Sequence, residues 1–186
     1  MLRNSSTRFG YLAILLHWSI ALLIVGEFAL GLFMTDLDYH HPLYQSLPQF
    51  HESMGILVGV LLLIRIGWAF SNIRPAAESG VGPVERVVSR VVQNLMIALV
   101  IGVVVFGYLL STAAGESILV FDWFYLPAVF ELMEGEEDLC AFWHQWLAWS
   151  VMGFAGLHAL GALKHHFYDR DQTLRRMLGL GNRSGN

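Results

Sequence analysis

A chain of 186 residues that is 55% hydrophobic and only 14% charged sits well below the roughly 25% charge of a soluble domain, which excludes a water-soluble globular fold. Its formal net charge is −4, and its one cysteine, Cys140, excludes an intrachain disulfide and covalent haem attachment through a C-x-x-C-H motif. Cys140 reads as a small buried residue near a helix start.

The apolar residues gather into four runs, each long enough for a hydrocarbon core of about 30 Å. The expected spans are about 9–34, 49–70, 88–112 and 140–166. In lipid every backbone group must be satisfied internally, so these runs are read as helices. Span 1 is too long for the apolar region of a secretory signal and lacks a small-residue cleavage site. It contains His17, Trp18 and Glu27 and reads as a retained span. Glu27 falls in its outer half, where an unpaired carboxylate is expensive; it is expected to be protonated or hydrogen-bonded across helices, with no functional role assigned.

The loop after span 1 is acidic, with Asp36 and Asp38, and its His40 and His41 are expected to be solvated. Span 2 opens near His51. The 2–3 connection carries Pro75, Gly80, Gly82 and Pro83 and reads as a loop. The 3–4 connection, 111–138, is long and holds an apolar, aromatic stretch at 118–130 interrupted by Pro127. A short interfacial helix over the bundle mouth is expected there, with Trp123, Phe124 and Tyr125 at headgroup depth. Span 4 carries His144 and His158 and runs into LKHHFYDRD. The fold class is all-α: a single-domain, integral-membrane four-helix bundle with antiparallel up-and-down threading.

All eleven Lys and Arg residues fall on one side of that bundle. Arg3 and Arg8 precede span 1, Arg65, Arg74, Arg86 and Arg90 surround the 2–3 connection, and Lys164, Arg170, Arg175, Arg176 and Arg183 end span 4 and form the tail. The positive-inside rule then puts both termini in the cytoplasm, in the inner membrane of a bacterium. The opposite loops hold Asp36, Asp38, Glu116, Asp122, Glu131, Glu134, Glu136, Glu137 and Asp138. In a bacterium that face would meet the periplasm, where its charge either steers positively charged partners or is a plain solvated surface.

Four of the eight histidines, His17, His51, His144 and His158, are carried by the apolar runs, while His165 and His166 stand at the very end of span 4. His144 and His158 are fourteen residues apart on one helix, which returns the side chain to nearly the same face about 21 Å further along the axis. Antiparallel threading matches His17 in depth with His158, and His51 with His144. A lone membrane histidine can simply hydrogen-bond a neighbouring helix; two couples at two depths point to a cofactor. Zinc usually takes four protein ligands or keeps an open water, and two histidines per level are too few. A b-type haem, which needs two axial nitrogens and a flat cavity, fits better. Gly55 and Gly161, on the ligands' own faces, either leave room for a porphyrin edge or serve close helix packing. Arg65 and Lys164 are either partners for haem propionates or interfacial bases reaching for water. His165 and His166 are interfacial, with contact to a quinone head group as the alternative.

On these stretches the chain resembles the bacterial cytochrome b561 family of four-helix di-haem proteins: HW at His17, HESMG at His51, STAAG at Ser111, VFDWFYLP, HQWLAW at His144, and GLHALGALKHHFYDRDQTLRRML from Gly156. The resemblance implies two haem b groups, iron bound by His17 with His158 and by His51 with His144. It also implies electron transport in the respiratory chain, between the quinone pool and a periplasmic partner. One branch of the family resembles a superoxide oxidase that reduces ubiquinone, and other relatives anchor larger dehydrogenases or hydrogenases. The chain departs from its relatives in having Gln93 and Ile97 in span 3, where a histidine and a tyrosine are frequent, and Glu52 where a lysine is common. Membrane lipid, quinone and a basic periplasmic redox protein are the expected partners, with no nucleic acid. Superoxide is an anion that a basic funnel would steer; the outer loops contain no Lys or Arg, so carriage of electrons to or from a protein partner is the favoured function.

Overall fold

The computed structural model describes residues 1–78 and 80–180; Arg183 lies outside them. Among the described residues four long helices dominate: α1 (Tyr11–Thr35), α2 (Ser46–Phe70), α3 (Pro83–Ser111) and α4 (Glu136–Phe167). All four are long and apolar enough to cross a membrane. A fifth, α5 (Thr173–Met177), follows at the basic end. The chain is thus an all-α, multi-pass membrane bundle.

Local chemistry sets the helix ends. Pro83 at the first position of α3 has no N–H to waste, and the Gly82 N–H donates to Glu85 Oε2 at 3.4 Å. Helix α4 begins after Gly135, whose φ of +87° is open to glycine at little cost. Acidic Glu136, Glu137 and Asp138 open α4, and Lys164, His165 and His166 close it, matching the helix dipole at both ends.

Large side chains such as Leu22, Leu63, Phe33 and Leu160 face outward, the reverse of a soluble core. The buried cluster is small and aliphatic: Val58, Leu62, Val100 and Val151, flanked by Leu23 and Ile24. Val151 lies seven residues from both His144 and His158, so this layer occupies the middle of the bundle, about 10 Å from either level.

Close packing joins α1 to α2, α2 to α3 and α3 to α4, while α1 and α4 are not among the closely packed pairs. The bundle is two helical hairpins, joined along α2 and α3, with a wider gap between α1 and α4 that side chains span, the Phe28 and Trp149 rings meeting edge to face at 4.8 Å.

The interfacial helix expected in the 3–4 connection is not formed. In its place stands a two-stranded antiparallel hairpin, β1 (Ile118–Val120) with β2 (Phe124–Leu126). The reason is local. Phe121 and Asp122 adopt φ of +49° and +57°, and the Trp123 N–H donates to the Val120 carbonyl at 2.9 Å, a tight reversal of the kind that joins strands. Alternation does the rest: Ile118 and Val120 are buried while Trp123, Phe124 and Tyr125 stay exposed. Ser53 of α2 anchors the hairpin, accepting from the Phe121 N–H at 3.0 Å, and Tyr108 holds the following segment by donating to the Pro127 carbonyl at 2.7 Å.

At the other end the N-terminal segment, the 2–3 loop and α5 are knitted together. Asn4 donates to the Ile73 carbonyl, Arg176 pairs with Glu78 at 2.6 Å, and the Trp18 indole donates to the Met177 carbonyl at 2.8 Å.

Candidate cofactor site

The four span histidines meet in two couples. The rings of His17 and His158 are 6.3 Å apart between centroids, and those of His51 and His144 are 6.1 Å apart. Both couples cross from the α1–α2 hairpin to α4. Two metal–imidazole bonds of about 2.0–2.1 Å each, with the ring radius added on both sides, come to roughly 6–7 Å between ring centres. The observed spacings are therefore those at which one metal atom can join each couple. Each level supplies two imidazoles only, which suits a metal whose other ligands come from a macrocycle.

At the acidic end a cavity of about 580 Å³ opens between the His51 and His144 rings, bordered by Gly31, Gly55, Gly107 and Trp149. The glycines divide by role. A Cβ added at Gly55 or Gly161 meets nothing within 4 Å, whereas one at Gly59 or Gly102 presses on Val104 or Leu147 at 3.1 and 3.0 Å. Gly55 borders the cavity and leaves space in it, close helix packing falls to Gly59 and Gly102, and Gly161 makes no close helix contact. Helix α3 contributes no histidine yet shapes the site. The Val103 carbonyl accepts from His144 Nδ1 at 2.9 Å, and a Cβ at Gly107 would lie 2.9 Å from the same ring.

Glu27 belongs here too. Its carboxylate lies 2.8 Å from His51 Nδ1. A neutral imidazole has one donor and one acceptor nitrogen. With Nδ1–H given to Val103, the His144 ring keeps its Nε2 lone pair for a metal; His51 Nδ1 lies beside the Glu27 carboxylate without a formed hydrogen bond between them.

The His17 level differs. An Arg65 guanidinium nitrogen lies 3.1 Å from His17 Nδ1. Guanidinium can only donate, so His17 Nδ1 accepts and the ring proton resides on Nε2. Metal binding there requires that proton to move to Nδ1 and Arg65 to let go. Lys164 is engaged elsewhere, 2.6 Å from Glu85 and 3.0 Å from Asp169. His165 Nδ1 lies 3.0 Å from Asp169 and 2.8 Å from Asp171, and His40 and His41 are exposed in the acidic loop.

The family model for the prokaryotic cytochrome b561 matches residues 8–180. The chain belongs to that family. It is 39% identical over 176 residues to cytochrome b561 homolog 2 of Escherichia coli (strain K12), covering 95% of this chain and 94% of the relative. It is 27% identical over 173 residues to a protein of Yersinia pestis named probable superoxide oxidase CybB, covering 92% and 96%. Membership implies b-type haem and electron transfer, and the paired imidazoles, the macrocycle-sized cavity and the space left at Gly55 are compatible with such a group.

Of the residues tied to the site, Glu27, Val103 and Gly107 were not legible as parts of it. Glu27 was conspicuous as a charge in an apolar run; the other two carry no signal that separates them from packing residues.

Proposed function

We propose that the chain holds two haem b groups, one between His17 and His158 and one between His51 and His144, and passes electrons across the bacterial inner membrane between the quinone pool and a periplasmic redox partner. The observation that supports this is the pair of facing imidazole couples, each a little over 6 Å across, on opposite sides of an aliphatic layer. A bis-histidine haem has no open coordination position, so the chemistry it supplies is outer-sphere electron transfer, tuned by ligands, burial and hydrogen bonds. The protein's own residues do the remainder. Val103 holds the His144 ring in the metal-binding tautomer, Glu27 stands 2.8 Å from His51 Nδ1 to receive its proton once Nε2 is ligated, Val58, Leu62, Val100 and Val151 keep water from the middle, and the capping hairpin covers the acidic-end mouth.

In this reading the basic end faces the cytoplasm, with both termini there. His165, flanked by the Asp169 and Asp171 carboxylates, is a proton-bearing group available to a quinone at that edge. The acidic loops attract a basic partner. A second reading, superoxide:ubiquinone oxidoreductase, is favoured by the name of the Yersinia relative. The bare acidic face weighs against it, because nothing there steers an anion.

The ligand assignment is tested by substitution. His17→Ala and His144→Ala should each remove one haem, and different ones, as counted from the haem-to-protein ratio and the reduced α-band. A variant that keeps both haems overturns the pairing. A pulse of superoxide that reduces the purified haems faster than it dismutates in buffer would replace the first reading with the second.

A further inference from the structure

The two histidine couples sit in opposite electrostatic surroundings. At the acidic end, His51 Nδ1 faces the Glu27 carboxylate at 2.8 Å, and both side chains are largely buried. At the basic end, His17 Nδ1 faces the Arg65 guanidinium at 3.1 Å. Glu27 reaches from α1 to a ring on α2, and Arg65 from α2 to a ring on α1, so the same helix pair supplies both contacts.

We infer that Glu27 is a positioning residue that fixes His51 and makes the acidic-end site the lower-potential member of the pair, with Arg65 favouring the reduced state at the basic end. This rests on the haem reading above. With a metal on Nε2, His51 would carry its proton on Nδ1, 2.8 Å from the Glu27 carboxylate, and a carboxylate that accepts the Nδ1–H of a ligating imidazole fixes its tautomer and orientation and raises its basicity as a donor to the metal. A stronger donor favours the oxidised metal, and hydrogen bonding around the ligand is a recognised control of haem potential. The positive charge of Arg65, which stays beside this level on α2 after it releases the His17 ring, does the opposite there, attracting the added electron. No proton needs to leave Glu27 or Arg65 for this. One electron lost at the acidic end is gained at the basic end, and the two side chains grade that exchange.

The magnitude is readable. Glu27→Gln keeps an oxygen acceptor for His51 but removes the charge. At a fixed poise it should raise the reduced-to-oxidised ratio of the acidic-end haem about tenfold, equivalent to about 59 mV for one electron, and leave the other haem in place. Haems are assigned with His51→Ala and His17→Ala, each retaining the opposite site. Redox titration of the purified full chain should also show, with Glu27 intact, a lower midpoint for the haem kept by His17→Ala than for the haem kept by His51→Ala. That comparison needs no Glu27 variant and stands if Glu27→Gln fails to accumulate.

The outcomes separate cleanly. A protein without haem, or a His51→Ala variant that keeps two, overturns the haem reading itself. Two haems in place with the acidic-end midpoint unmoved in Glu27→Gln, or with the basic-end haem moved instead, overturns the role of Glu27. A higher midpoint at the acidic end than at the basic end overturns the grading.

Discussion

Gly107 has little freedom to change. Its missing side chain is the space occupied by the His144 ring, 2.9 Å from where a Cβ would stand, and the Val103 carbonyl holds that ring in place. Overpacking a filled site costs about 1–3 kcal/mol, and here the yielding atoms belong to a ring that must keep its aim. Gly107→Ala should lose the acidic-end haem while keeping the basic-end one, read as half the haem content with helical circular dichroism retained. Glycine at a helix contact has no pattern in one sequence to mark it, so this position was illegible beforehand. Glu27 was half legible. A charge at a helix centre costs about 2.5–3.5 kcal/mol on insertion scales, which demanded a partner; the partner, His51, depended on the rotation of α1 against α2, which spacing does not reveal.

At the scale of elements, the spans were readable because lipid imposes length and apolarity together, and depth followed from counting residues along helices. The connection between α3 and α4 was not. Its apolar alternation over residues 118–126 is short enough to suit either a helix turn or a strand, and two consecutive left-handed residues, Phe121 and Asp122, decided for the hairpin. Asp tolerates that conformation and Phe does so rarely, so the reversal was weakly encoded. Ser53 is what ties the hairpin down. Its hydroxyl accepts from Phe121 and can donate to the Gln49 or Leu119 carbonyl at 3.0 and 3.3 Å. Ser53→Ala leaves a buried N–H unpaired at about 1–3 kcal/mol. The hairpin should then open to added protease, measured by the rate of cleavage within 118–126, before the helices melt.

For the whole molecule, charge separation and the pairing of depths were both visible in the sequence, because they depend only on order along the chain and on antiparallel threading. The lateral arrangement was not. Nothing in the apolar pattern says that α1 and α4 stay apart while α1–α2 and α3–α4 close up; helices that are greasy all round carry no inward stripe to orient them. The His17–His158 couple crosses from α1 to α4 and the His51–His144 couple from α2 to α4, and the stability of the assembly is bound up with both.

A book lying partly open is held mainly at its spine, and here the spine is the α2–α3 seam, with lighter fastenings such as Phe28 on Trp149 and Trp18 on Met177 across the open edge. Whatever links His17 to His158 and His51 to His144 acts as a clasp, adding binding free energy to the closed form alone. Cells starved of haem should therefore insert the chain normally yet hold it ajar, with faster degradation and a lower melting temperature that supplied haem restores. Cofactor delivery would then set how much of this protein a membrane keeps.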